Sequence, residues 1–156
     1  TIVREDLLGR VRKYCPSIFD WSVLAAHDSM YNTPNSFAWY MAGLDFKWIK
    51  DLGGVAELEK RNCQKANLLY NFLDSTDFYR CPIAKSDRSR VNCVFTLKDE
   101  SLNAEFLAQA KSEHLVGLKG HKVLGGMRAS IYNAMPIEGV EKLVAFMREF
   151  EKKHTN

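Results

Sequence analysis

The sequence predicts an α/β protein, because two hydrophobic periods succeed one another along it. Up to about Leu73 the apolar residues recur at steps of three and four, the spacing of a buried helix face. Farther on, Val91, Cys93, Phe95 and Leu97 alternate with Asn92, Val94 and Thr96, as on a strand with one strongly apolar face. The composition can build a core, with 46% apolar and 26% charged residues, and this excludes a disordered tail or a collagen-like chain. Lys and Arg total 22 against 19 for Asp and Glu, a net charge of +3. That surplus is too small for a protein that coats nucleic acid and too dispersed for a membrane anchor, so each cation is judged in its own surroundings.

Taken in order, Asp6 to Arg12, with Leu7, Leu8 and Val11, predicts one or two helical turns that Cys15-Pro16-Ser17 breaks. Thr33 is read as the N-cap of a longer helix with Pro34 at its first position, where a missing N–H costs nothing. Phe37, Tyr40, Met41, Leu44, Trp48 and Leu52 then share one face, which Trp39, Phe46 and Ile49 widen. This helix is expected to be mostly buried and to stop at a hinge, Gly53-Gly54. A second helix, Val55 to Leu73, carries Leu58, Ala66, Leu69, Phe72 and Leu73, with Glu57, Lys60, Arg61 and Lys65 between them. It ends in the turn-prone Asp74-Ser75-Thr76-Asp77, and the residues themselves suggest a boundary near Thr76.

After the alternating strand, Leu102, Phe106, Leu107 and Ala110 return to helical spacing, and Leu115 to Leu118 reads as a short strand. Arg128 to Tyr132 is a further strand, ended by Asn133 to Pro136. Ile137, Val140, Leu143, Val144, Met147 and Phe150 form the inner face of a last helix, and Arg148, Lys152 and Lys153 sit favourably at its negative end. The longest apolar run, Phe37 to Leu44, is far short of the roughly 20 residues that cross a bilayer, so no membrane span is expected. Cys15, Cys63, Cys81 and Cys93 lack C-x-x-C spacing and a matching histidine pattern, which points to reduced thiols in a cytoplasmic protein without a metal site. No secretory leader is recognised.

The stretch most suggestive of chemistry runs from Gly117 to Arg128 and interleaves Gly117, Gly120, Gly125 and Gly126 with Lys119, His121, Lys122 and Arg128. Such a loop can turn amide hydrogens and cations toward a carboxylate or phosphate. Composition alone favours the plainer reading, a tight connection between two strands with solvated cations at its tip. Asn32-Thr33-Pro34 is a second candidate, since amides at a helix start favour a dianion, although a threonine cap can serve its own helix alone. His27-Asp28 as an acid/base pair and Arg88-Ser89-Arg90 as an anion clamp are further readings, each also compatible with ordinary surface residues. No nucleophile with a base, no carboxylate pair and no metal cluster emerges from spacing, so the residues alone stop at a candidate anion site in an α/β domain.

The run GHKVLGGMRASIYNAMP, Gly120 to Pro136, resembles the C-terminal part of the phosphoserine aminotransferase family, pyridoxal-phosphate enzymes of fold type I. IVREDLLG, CPSIFDWSVL, SMYNTPNSFAWYMAGL, the Gly53-Gly54 junction, the stretch Asp87 to Asn92 and the final helix resemble that family in the same order, so the likeness covers essentially the whole chain. It implies that residues 1–51 are the tail of a large cofactor-binding domain with its connecting helix, and that 52–156 are a small C-terminal α/β domain. Family members are about twice as long, and their cofactor lysine would precede Thr1, so this chain is expected to be a fragment, inactive by itself.

The resemblance further implies that Asn32 and Thr33 reach the phosphate of pyridoxal 5'-phosphate in the neighbouring subunit of a homodimer. Arg128 resembles the arginine that holds the substrate α-carboxylate, a task suited to a planar fork. His121 and Lys122 occupy the positions of a His-Arg pair that binds the distal anion of the substrate from the adjacent subunit. Lysine keeps the charge there but loses the bidentate geometry. The implied reaction moves an amino group between L-glutamate and 3-phosphohydroxypyruvate, giving O-phosphoserine and 2-oxoglutarate in serine synthesis and, in bacteria, pyridoxine synthesis. Two other readings stay open at this level: a non-catalytic module for a phosphorylated metabolite or a partner chain, and a related aminotransferase with another acceptor.

Overall fold

A computed structural model describes residues 1–123 and 125–155, and its contacts divide the chain into two units, Thr1–Trp48 and Ile49–Asn156. Leu124, within the glycine-rich run, and the terminal Asn156 lie outside the described residues.

In the first unit the helix expected after Asp6 shrinks to a 3-10 turn, Glu5–Leu7, because Leu8 is extended and Gly9 turns the chain at a φ of 74°. The Asp20 side chain accepts the Ser22 amide at 2.9 Å and so starts a short helix, α1 (Trp21–Ala26). The next helix, α2 (Ser36–Asp51), begins later than the sequence suggests. Asn35, not Thr33, is its cap: the Asn35 side chain accepts the Ala38 amide at 3.1 Å and its carbonyl accepts the Trp39 amide at 3.0 Å. Pro34 therefore precedes the cap instead of opening the helix. The expected burial of α2 is also not found, since none of its residues is buried and Phe37 and Phe46 are 74% and 69% exposed. An apolar stripe predicts a helix, but burial needs a facing surface as well, which the stripe itself does not provide.

Gly53 and Gly54, at φ 105° and 83°, end that run, and α3 (Gly54–Leu73) starts at once. The chain continues through β1 (Tyr79–Arg80), β2 (Asn92–Leu97), α4 (Asn103–Ser112), β3 (Lys119–His121), β4 (Gly125–Ser130) and α5 (Ile137–His154). The four strands form one antiparallel sheet in the order β1-β2-β4-β3. Two strands differ from expectation. Leu115 to Leu118 is not a strand, because Gly117 turns at a φ of 77° and pairing starts only at Lys119. The strand expected from Arg128 to Tyr132 runs instead from Gly125 to Ser130.

One face of the sheet carries Tyr79, Cys93, Phe95, Leu97, Met127 and Ala129, all buried among residues of α3, α4 and α5. Phe106 of α4 has no exposed surface and lies at its centre, with the Phe95, Tyr79, Phe146 and Phe150 rings 6.0, 6.1, 5.2 and 5.1 Å away. The Tyr79 hydroxyl donates to the Met147 carbonyl at 2.9 Å, and burial pushes its pKa up. No boundary falls near Thr76: its hydroxyl is bound by Glu151 of α5, and α3 packs against α5 and β2. Among the described residues no helix is long and apolar enough to cross a membrane.

Candidate anion-binding site

Alternation along β4 decides where Arg128 sits. Met127 and Ala129 are buried against the helices, so Arg128 lies on the opposite, open face, in register with Val94 of β2. Its amide donates to the Leu118 carbonyl at 2.8 Å, which fixes the backbone from the side of β3 as well. The same face receives Arg80, paired with Thr96, and the Ser130 and Asn92 side chains, which are hydrogen-bonded at 3.1 Å.

The glycines explain how β3 comes so close. A Cβ on Gly120 would run into the Gly125 carbonyl and lie 2.6 Å from that of Gly126. Gly126, at φ 63°, would place a Cβ 2.9 Å from Thr96 Cγ2. The run is thus a tight hairpin, with His121 paired to Gly125 and Lys122 in the turn. The His121 Nδ1 accepts the Val123 amide at 3.2 Å, so the neutral ring carries its proton on Nε2, a free donor. Both side chains are exposed. Three residues along β4 separate the level of His121 from Arg128, about 10 Å at the usual strand rise.

The partners of the other arginines set Arg128 apart. Arg61 pairs with Glu57 at 2.9 Å, Arg90 with Glu59, and Arg88 with Asp74 through two bonds of 2.9 and 2.8 Å. The reading of Arg88-Ser89-Arg90 as an anion clamp is therefore corrected, since both guanidiniums are already held by carboxylates of this chain. Arg148 lies over the Phe72 ring, 5.0 Å from its centre. Among the described residues of the second unit only Arg80 and Arg128 lack a carboxylate or ring partner, and both point from the open face. His27 Nδ1 is 2.8 Å from the Val23 carbonyl and shows no bond to Asp28 among the described residues, so the two are ordinary surface residues, as the plainer reading has it. Asn32 and Thr33 sit in the exposed loop before α2, where neither side chain has a hydrogen-bond partner among the described residues.

One buried group escaped the sequence reading. Lys65, read as a charged residue between the apolar positions of α3, is 3% exposed. Its ammonium donates to the carbonyls of Tyr132 at 2.9 Å, Asn133 at 3.3 Å and Met135 at 3.0 Å. Burial, aided by nearby Arg61, pulls its pKa below the usual lysine value. Lys65 is seven residues after Leu58 and four before Leu69, so helical spacing alone could have placed it on the inner face.

The profile of the aminotransferase class-V family matches residues 2–143. A phosphoserine aminotransferase of Janthinobacterium sp. (strain Marseille) is 57% identical over 153 residues, covering 98% of this chain and 42% of that protein. Among solved structures, the phosphoserine aminotransferase of Bacillus circulans subsp. alkalophilus superposes with a TM-score of 0.90 at 42% identity, over 97% of this chain and 42% of that one. The pyridoxal-phosphate-bound phosphoserine aminotransferase of Trichomonas vaginalis gives a TM-score of 0.81 at 38% identity, over 88% and 40% of the two chains. The chain spans 42% of the length of the curated relative it matches.

Proposed function

This chain belongs to the aminotransferase class-V family, and on that premise we propose that it is the C-terminal part of a phosphoserine aminotransferase. The full-length protein would move an amino group between L-glutamate and 3-phosphohydroxypyruvate, giving O-phospho-L-serine and 2-oxoglutarate. The observation that carries this reading is Arg128, a guanidinium with no carboxylate partner among the described residues, on a backbone held from both neighbouring strands. A planar fork fixed in this way suits the α-carboxylate that both amino donors share, and it orients the carbon that bears the nitrogen.

His121 and Lys122 supply a donor and a cation for the distal anion, the phosphate of one substrate and the side-chain carboxylate of the other. Their distance from Arg128 along the hairpin favours the family's arrangement, in which the tip serves the pocket of a neighbouring subunit in a homodimer. Asn32 and Thr33 fit the cofactor phosphate by chemistry, as an amide and a hydroxyl with unused donors beside the start of α2. When bound, pyridoxal 5'-phosphate supplies the electron sink that carries the nitrogen between the two half-reactions. Residues 1–51 would then be the end of the cofactor-binding domain and 52–156 the small domain of a cytoplasmic enzyme of serine, and in bacteria pyridoxine, synthesis.

The test is Arg128→Ala in the full-length protein. Loss of one charged, bidentate contact of about 2 kcal/mol predicts a fall of roughly 30-fold or more in kcat/KM for both glutamate and O-phosphoserine, with the cofactor absorbance retained. Turnover close to the unsubstituted protein with either donor would end the assignment.

A further inference from the structure

β4 has to leave the sheet after Ser130, and it does so by a turn whose carbonyls converge. Ile131 is buried, with its amide donating to the Val91 carbonyl at 2.7 Å. The Met135 amide then closes onto the Tyr132 carbonyl at 2.9 Å, and Ile137 opens α5. Three carbonyl oxygens of this turn point at one place, and the Lys65 ammonium occupies it with all three of its donors engaged. One helical turn earlier, the Asn62 Nδ2 donates to Asn133 Oδ1 at 2.8 Å, while the buried Asn62 Oδ1 has no partner. The ammonium is therefore the stronger part of a two-residue tie between α3 and the turn. No carboxylate is hydrogen-bonded to it among the described residues, so its charge is answered by peptide dipoles alone.

A lysine spent on its own backbone is costly to bury, and burying it here fixes a short segment. That segment begins four residues after Arg128. We propose that Lys65, assisted by Asn62, is a positioning residue for the anion-binding strand: by gathering the Tyr132, Asn133 and Met135 carbonyls it holds the exit of β4 where Arg128 is presented correctly to a carboxylate. The positioning half of this statement rests on the role of Arg128 proposed above, while the tie itself does not.

The experiment uses the full-length protein with Lys65→Met, which keeps the stem and removes the donors. Backbone amide exchange over residues 127–136 should become about tenfold faster, while exchange in α5 stays unchanged. KM for glutamate and for O-phosphoserine should rise together, about tenfold, with kcat within about threefold, because both donors present the same α-carboxylate. In an Arg128→Lys background the same substitution should change kcat/KM by less than about twofold, since the residue being positioned is already altered. Unchanged exchange overturns the tie. Faster exchange with KM within about twofold of the unsubstituted protein, or full additivity with Arg128→Lys, overturns the positioning role and leaves Lys65 a stabilising residue only. If K65M does not accumulate as folded protein, K65Q, with an amide donor on a shorter stem, is read by the same criteria. A wild-type protein without transamination would instead overturn the proposed function, with the exchange result still deciding the tie.

Discussion

Arg88 binds Asp74 through both terminal nitrogens, at 2.9 and 2.8 Å, while its guanidinium lies 4.8 Å from the centre of the Tyr70 ring. Arg88 thereby joins the end of α3 to the segment that leads into β2, and Lys85 adds a third contact to the same carboxylate at 3.0 Å.

These bonds, Arg88 first and Lys85 second, lower the Asp74 pKa from 3.8 to about 2. A carboxylate depressed by folding adds stability that is fully present above its unfolded pKa and is lost as pH falls through its folded one. Asp74→Asn should therefore cost about 1 kcal/mol at pH 5, a modest figure because the pair is partly solvated. The deficit should shrink as pH drops from 4 toward 2 and disappear only below the folded pKa. Urea titrations of both proteins across that range check it, and a deficit as large at pH 2 as at pH 5 contradicts the assignment.

Phe106 touches four aromatic rings and has no exposed surface. Phe106→Ala should cost about 3 to 5 kcal/mol, combining lost transfer energy with a cavity that rigid rings cannot refill. Phe106→Leu should recover more than half of that loss. The measurement is the urea midpoint at constant m-value.

Gly120 faces two carbonyls at the hairpin crossing, and the obstacle to a side chain there is backbone, which cannot rotate away. Gly120→Ala should open the β3–β4 pairing at a cost of about 2 to 3 kcal/mol, whereas Gly117→Ala, with open space around it, should pay only for its positive φ, about 1 kcal/mol. Thermal melts rank the two, and equal losses would mean that the close approach is not what the glycine serves.

Lys122 stands exposed in the turn as a single point charge. If it reads phosphate, Lys122→Ala should raise KM for O-phosphoserine about tenfold and KM for glutamate less. Lys122→Arg should sharpen the preference for O-phosphoserine over serine. Equal KM changes for the two acidic donors would show that the tip does not discriminate phosphate from carboxylate.

Period alone revealed the strand that carries Cys93, Phe95 and Leu97 and the inner faces of α3 and α5, except that Ile137, at the first position of α5, is exposed. Two neighbouring cap formers, Thr33 and Asn35, compete at the start of α2, and only the bond from Asn35 to Ala38 decides between them. The aromatic stripe of α2 stated a helix and said nothing of what would cover it. Lys65 was hidden by its charge, since a lysine is assigned to solvent until three converging carbonyls are seen. At the site, the glycine spacing announced a sharp bend at Gly120 to Gly126, and the resemblance singled out Arg128. That Arg128 has no carboxylate partner among the described residues, while Arg61, Arg88 and Arg90 each have one, could not be read without coordinates, because those partners come from distant or helical neighbours.

The outer strands of the sheet are very short, two residues in β1 and three in β3, against six in each inner strand. A hairpin with the binding role proposed above has to remain at the margin, open to solvent, where a longer strand would offer a template for foreign chains to pair with. Here the margin displays cationic side chains over hardly any unpaired ladder, so these side chains can stay wet without inviting edge-to-edge aggregation.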